Sequence, residues 1–381
     1  MTPELSAYAA RLRGLMAVSP PAISPAQFDR LALELFALQF QSNPAYRKIC
    51  EARGQTPATV QHWSQIPALP TAAFKDLDLT CLAPTERTTV FHSSGTTEQR
   101  PSRHWHGMES LAVYEASLTA WFLENVPPDL RFAIADLRLI CLTPPPSLVP
   151  HSSLVHMFDV VRREYALPAS VFTGQLDAAG SWTLDFTSVY NQLTAAIQSR
   201  QQVILLGTAF SFVHLLDFLA IKDLVFNLPE GSLVMETGGY KNRSRILPKS
   251  GLHALITERL GVPREQILCE YGMSELSSQA YDGGARSLRL EASGSSTPSP
   301  KPQAPSRFSF PPWARAQILS PETGQGVGEG ETGLIRILDL ANVFSVLAVQ
   351  TEDLGVRRGD GFELIGRAQL AEPRGCSLMN A

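Results

Sequence analysis

Short apolar runs, set between stretches of helical periodicity, dominate the pattern of this chain. The runs fall at residues 139–142, 203–206, 233–235, 267–269, 334–338 and 362–365. Their length and bulk suit strands buried on both faces. Helix-like segments separate several of them, at 152–164, 188–199, 211–223 and 249–260, and residues 108–124 have the same character. Strands alternating with helices predict an α/β protein with largely parallel sheets flanked by helices. Nearer the N-terminus, Ser24-Pro25-Ala26-Gln27 reads as a helix start, with Ser24 as the cap and Pro25 first in the helix. Phe28, Leu31, Leu35 and Leu38 follow at helical spacing, and Asn43-Pro44 ends the helix.

The pattern divides the chain into a helical N-terminal region (1–65), an α/β core (66–291), a Pro/Ser-rich stretch (292–312), a β-rich remainder (313–366) and a short tail (367–381). The stretch 292–312 reads as a mobile loop or linker without regular structure.

Composition narrows the class. At 381 residues the chain can bury a large core, and 44% apolar with 18% charged residues is ordinary for a soluble globular protein. A formal net charge of −4 and no basic block give no reason to expect nucleic acid or an anionic membrane as partner. No apolar run is long enough to span a bilayer, and the N-terminus shows no signal-peptide pattern. Cys50, Cys81, Cys141, Cys269 and Cys376 are scattered, without a C-x-x-C pair, which argues against a disulfide framework and a structural zinc site. The expected location is the reducing cytoplasm.

Four stretches carry candidate chemistry. In Ser93-Ser94-Gly95-Thr96-Thr97, four hydroxyls surround one glycine. Such a loop turns sharply and offers clustered donors to anionic oxygens, though a plain Ser/Thr turn has the same composition. In Glu270-Tyr271-Gly272-Met273-Ser274-Glu275, after an apolar run, an aromatic face, a hydroxyl and a carboxylate stand where α/β sheets place ligands; a turn into a capped helix is the alternative. Thr351-Glu352-Asp353-Leu354-Gly355 and Gly361-Phe362-Glu363-Leu364-Ile365-Gly366-Arg367 each read as a strand with flanking turns, Asp353 being either a ligand or a solvated turn residue.

Taken in order, these stretches resemble the adenylate-forming superfamily of acyl-CoA synthetases and, more narrowly, the LuxE-type acyl-protein synthetase family. The narrower likeness adds Ser102 and His104, Glu236-Thr237-Gly238-Gly239-Tyr240-Lys241 with Arg243-Ser244-Arg245, Gln279 and Tyr281, Asp339-Leu340-Ala341-Asn342, and Arg374-Gly375-Cys376-Ser377-Leu378. It runs from about residue 66 to the end.

The resemblance implies ATP and Mg²⁺ as cofactors and a fatty acid or other carboxylic acid as substrate. It implies that Ser93, Ser94, Gly95, Thr96 and Thr97 cradle the ATP phosphates, and that Gly238 and Gly239 line the adenine and acyl pocket. Tyr271, beside Gly272, would stack on adenine, Ser274 would touch the α-phosphate, Glu275 would hold Mg²⁺, and Asp353 would take the ribose hydroxyls with Arg367 beside it. Cys376 would receive the acyl group and pass it to an acyl reductase, acyltransferase or acyl carrier protein. Two features depart from the superfamily: Glu98 replaces a usual glycine, and Gln369 a usual charged hinge residue. The chain also ends at Ala381, short of the mobile C-terminal domain and its catalytic lysine, which leaves Lys241, Arg243 and Arg245 as candidate cations. A carboxylate–CoA or carrier-protein ligase of the phenylacetate type and a non-catalytic nucleotide-binding subunit are the alternative readings.

Overall fold

The computed structural model describes residues 2–93, 100–127, 137–165, 170–239, 244–282 and 307–368. The chain opens with three helices, α1 (Pro3–Met16), α2 (Pro25–Ser42) and α3 (Pro44–Ala52). Ser24 Oγ accepts the Gln27 N–H at 3.2 Å, and Pro25 opens α2 as the sequence predicts. Asn43 both ends α2 and caps α3, its side chain accepting the Tyr46 N–H at 3.1 Å. Phe28, Leu31, Leu35 and Phe36 form the buried face of α2. Helices α1 and α3 were not legible from periodicity, although α1 buries Leu5, Tyr8, Leu12 and Met16.

The order then runs β1 (Leu69–Pro70), α4 (Ala73–Asp76), β2 (Thr89–His92), β3 (Arg103–His106), α5 (Met108–Asn125), β4 (Arg138–Cys141), α6 (Ser153–Tyr165), β5 (Val171–Phe172), β6 (Gly174–Leu176), β7 (Trp182–Leu184) and α7 (Phe186–Ser199). It continues through β8 (Val203–Thr208), α8 (Ala209–Ile221), β9 (Leu233–Thr237), α9 (Lys249–Leu260), β10 (Ile267–Tyr271), β11 (Ala280–Asp282), β12 (Ala314–Leu319), β13 (Thr332–Asp339), β14 (Ala348–Arg358) and β15 (Gly361–Arg367). Each of the six apolar runs falls on a strand, and each helix-like segment on a helix.

The larger sheet has the order β11-β10-β9-β8-β4-β5 and is parallel except for the antiparallel edge strand β11. Strands β8, β9 and β10 are buried at every position, so their side chains alternate between two apolar layers. Ile204, Leu206, Leu233, Met235 and Leu268 face the layer shared with the N-terminal helices. Val203, Leu205, Val234 and Ile267 face the layer built by α7, α8 and α9.

The second sheet has β14 as its spine. Strand β13 pairs along one edge, while β1 and then β15 pair along the other. It is mainly antiparallel; the 351–355 stretch that reads as a strand lies within β14, while β1 and β12 escaped a reading keyed to buried parallel strands. Residues 307–312, the described end of the Pro/Ser-rich stretch, are docked between the sheets rather than loose. Phe308 exchanges backbone hydrogen bonds with Phe362 of β15, and Ser309 with Tyr281 of β11. Burial of Phe308 contributes about 1.5–3 kcal/mol toward holding this segment, alongside its backbone hydrogen bonds.

Candidate active site

The hydroxyl-rich stretch joins β2 to β3 as the connection of a two-stranded hairpin. Ser93 Oγ accepts the Ser102 N–H at 3.0 Å and closes the base of that connection. Ser94, Gly95, Thr96, Thr97 and Glu98 lie outside the described residues. From this base a buried polar chain runs into the second motif. Ser102 Oγ donates to Glu275 Oε1 at 2.6 Å, and Ser274 Oγ donates to Glu275 Oε2 at 3.0 Å. The two motifs, far apart in sequence, therefore meet at one carboxylate. Glu275 is only 4% exposed, and burial pushes its pKa above the usual carboxylate range while the two hydroxyls pull it back.

His104, on β3, holds the same loop from the other side. Its Nδ1–H donates to the Ser274 carbonyl at 2.9 Å, which fixes the tautomer. Burial lowers its pKa to about 4, so the ring is neutral near physiological pH. Asn342 Nδ2 donates to the Glu275 carbonyl at 3.0 Å, and Gln39 of α2 donates to the Asn342 carbonyl at 2.7 Å. The N-terminal helices thus position the loop of Glu275 at one remove.

The third and fourth motifs meet the second through Tyr271, the last residue of β10. Its hydroxyl donates to Asp353 Oδ2 at 2.8 Å. Arg367 stands directly across from Asp353 in the β14–β15 register, with its Nε 3.8 Å from Asp353 Oδ1. Asp353 sits within a strand, so the solvated-turn reading fails. Arg367 itself is largely exposed. The Tyr271 ring lies among Phe308, Phe310 and Phe362, with centroids 5.3–6.3 Å away, and only 7% of the residue reaches solvent. Phe308 and Phe310 had no role in the sequence reading; their aromatic character at the end of a Pro/Ser-rich stretch was the available signal.

Gly238 follows β9 with φ +69°, a conformation that favours glycine, and the space beside both Gly238 and Gly239 is open. Gly272 follows β10, and a Cβ there would overlap Glu270 Oε1. The turn-into-helix alternative fails too, because residues 272–279 lead to β11 instead. Lys241, Arg243, Gln369 and Cys376 lie outside the described residues. Arg245 pairs with Asp217 at the surface, 2.6 Å away.

Glu270 is the buried acid next to this loop. The Thr237 hydroxyl donates to its Oε2, joining β9 to β10. Burial raises its pKa to about 7, and the nearby Glu236 adds to the rise. A carboxyl whose folded pKa exceeds its unfolded value stabilises the fold when protonated, and that contribution is lost as pH rises toward the folded pKa. Glu270→Gln keeps the shape and removes the titration. Relative to wild type, the variant should gain about 2–3 kcal/mol of stability between about pH 5 and about pH 8. Chemical denaturation at the two pH values measures it; an unchanged difference would refute the buried ionisation.

Among the described residues, no helix is long and apolar enough to cross a membrane. The family model described as acyl-protein synthetase, LuxE, matches residues 24–283. A long-chain-fatty-acid–luciferin-component ligase of Vibrio harveyi is 21% identical over 364 residues, covering 92% of this chain and 86% of that protein. Its counterpart in Aliivibrio fischeri is also 21% identical, over 370 residues, covering 93% and 87%. Among solved structures, an open conformation of 2-hydroxyisobutyryl-CoA ligase in complex with 2-HIB-AMP and CoA aligns with a TM-score of 0.60 at 15% identity. It covers 90% of this chain and 76% of that one, and a likeness this distant speaks to the fold alone. With a family model spanning most of its length, this chain is a ligase of the acyl-protein synthetase, LuxE family, built on the adenylate-forming fold.

Proposed function

We propose that this ligase activates a long-chain fatty acid with ATP and then captures the acyl group on Cys376. The observation that carries the reading is the junction of motifs at Glu275 and Tyr271, where the hairpin base, the β10 loop, β14 and β15 converge. The fatty-acid ligase names of the two bacterial relatives support the substrate class.

In this reading Ser93 through Thr97 hold the phosphates of ATP, with Gly238 and Gly239 leaving room for the nucleotide. The adenine packs at the cluster of Tyr271, Phe308 and Phe310, and Asp353 accepts the ribose hydroxyls, a carboxylate being able to take two hydrogen bonds at once. Lys241 and Arg367 supply positive charge. Glu275, Ser274 and Ser102 form a hard oxygen donor set that fits Mg²⁺, which when bound would neutralise phosphate charge. A substrate carboxylate oxygen attacks the α-phosphorus, the bond to the β-phosphate breaks, and pyrophosphate leaves. Positioning and charge neutralisation carry such steps. The Cys376 thiolate, its proton lost to solvent, then attacks the acyl carbon and AMP leaves. Arg374, two residues away, favours the thiolate. The acyl thioester passes onward to an acyl reductase, acyltransferase or carrier protein.

The test is incubation with labelled fatty acid and ATP, followed by peptide mapping. We expect hydroxylamine-labile label on the Cys376 peptide and none in Cys376→Ser. Adenylate without label on that peptide would remove the thioester step, and full turnover in Cys376→Ser would assign the acceptor role to an external thiol such as CoA.

A further inference from the structure

Away from the nucleotide site, a second set of reactive side chains is built into the layer between the larger sheet and α9. The strand registers align Glu236 of β9 with Cys269 of β10, and Cys269 with Asp282 of β11. These three side chains form a row across one face of the sheet. Over the row, α9 places Lys249 and His253 one helical turn apart, on one helix face.

The arrangement within the row is specific. Glu236 Oε1 lies 3.3 Å from His253 Nε2, and Cys269 Sγ lies 3.7 Å from that same nitrogen. The three candidate donor atoms all fall within 4.8 Å of one another. In a nucleophilic triad the carboxylate and the nucleophile occupy opposite nitrogens of the ring. Here both converge on one nitrogen, which can satisfy only one of them through a proton. Convergence of an oxygen, a nitrogen and a sulfur on a common point is the geometry of chelation. Zinc-class bonds of about 2.0–2.3 Å at tetrahedral angles require N···O and N···S edges of about 3.4 and 3.6 Å. The observed 3.3 and 3.7 Å match those edges closely.

We propose that Glu236, His253 and Cys269 bind one zinc-class divalent cation, which ties α9 to β9 and β10.

Charge and chemistry agree with this. A carboxylate and a thiolate neutralise a divalent cation, and Lys249 and Asp282 neutralise each other alongside. Burial lowers the His253 pKa, against the pull of Glu236, and so favours the neutral ring that ligates. Burial raises the pKa of the Cys269 thiol, so cation binding would release its proton to solvent. The N, O and S donor set suits zinc rather than magnesium. Each strand ligand stands one residue before the functional segment it supports: Glu236 before Thr237-Gly238, and Cys269 before Glu270-Tyr271. The cation would therefore fix the spacing of the two loops that flank the nucleotide. It is separate from the Mg²⁺ proposed at Glu275.

The experiment uses the full chain stripped with chelator and titrated with Co²⁺. We expect a thiolate-to-cobalt charge-transfer absorption that saturates at one equivalent, is displaced by Zn²⁺, and is accompanied by a rise in melting temperature. The absorption should persist in Cys376→Ser and vanish in Cys269→Ser, and His253→Gln should weaken binding by about tenfold or more. Absence of the thiolate band from both wild type and Cys376→Ser would overturn the proposal, showing Glu236 and His253 to be only a hydrogen-bonded buried pair. Loss of the band in Cys376→Ser would equally overturn it by placing the metal on the tail. Because Cys376→Ser alters only the tail, these readings stand even if the buried variants fail to fold.

Discussion

Glu275→Gln should lower fatty-acid-dependent pyrophosphate release by about 10²–10³-fold while leaving the fold intact. The amide keeps the size of the carboxylate. Its oxygen accepts one of the two hydroxyls, and the other hydroxyl can rotate to accept from the new NH₂. What disappears is the negative charge, held 96% out of solvent, that would face magnesium and the phosphates under the proposed mechanism. Excess Mg²⁺ should recover part of the rate if lost metal affinity is the cause. The pH profile gives an independent check. Glu275 acts in its ionised form, and burial raises its pKa in the metal-free protein, so at limiting Mg²⁺ the wild-type rate should climb with pH through a carboxylate limb displaced upward. That limb should be absent in Glu275→Gln. A variant that stays within about threefold of wild type at every Mg²⁺ concentration would remove Glu275 from the chemistry.

The parts of this molecule that were legible in its sequence share a physical signature. Strands β8, β9 and β10 are buried on both faces, so they read as uninterrupted apolar runs, and α9 lies at 249–260 as its periodicity indicated. The four motifs could be read because each concentrates hydroxyls, glycine or carboxylate in a few consecutive residues. What could not be read was assembly over long separations. Nothing local in Ser102 indicates that its hydroxyl will meet Glu275, 173 residues away. Gln39 is another case: a polar residue on the buried face of a helix looks like a defect until its partners, the backbone of 342–347, are in place. The same holds for the row of Glu236, Cys269 and Asp282, which only strand register creates, and for Phe308 and Phe310, hidden in a stretch whose composition signals looseness.

Asp339, named in the sequence likeness but without its contacts, shows how much of the site's support rests on one residue, and Asp339→Ala should be among the most destabilising single changes in the chain. The residue ends β13 and has no solvent exposure. Its Oδ1 accepts from the Ser278 hydroxyl at 2.7 Å and the Ala341 N–H at 3.0 Å, and its Oδ2 accepts from the Ser277 N–H at 2.9 Å. One side chain thus binds the end of the 272–279 loop to the turn that carries Asn342. Alanine strands three buried donors and opens a cavity, for a loss of about 3–5 kcal/mol. Asparagine is the informative comparison. In either orientation its NH₂ faces one of the two backbone N–H groups, so one donor stays unpaired at about 1–3 kcal/mol. Burial raises the Asp339 pKa to about 6, against the hydrogen bonds from Ser277, Ser278 and Ala341 that lower it. The wild type therefore holds its full contribution below the unfolded carboxylate pKa and loses part of it as pH rises to the folded value. Asparagine does not titrate, so its deficit relative to wild type should shrink by about 1.4 kcal/mol between about pH 5 and about pH 8. Denaturant melts of wild type, Asp339→Asn and Asp339→Ala at both pH values provide the measurement. A constant Asn deficit would mean that Asp339 stays ionised throughout, its hydrogen bonds outweighing burial. An Ala variant within about 1 kcal/mol of wild type would mean that the three donors find other partners, and that Asp339 does not hold the Glu275 loop in place.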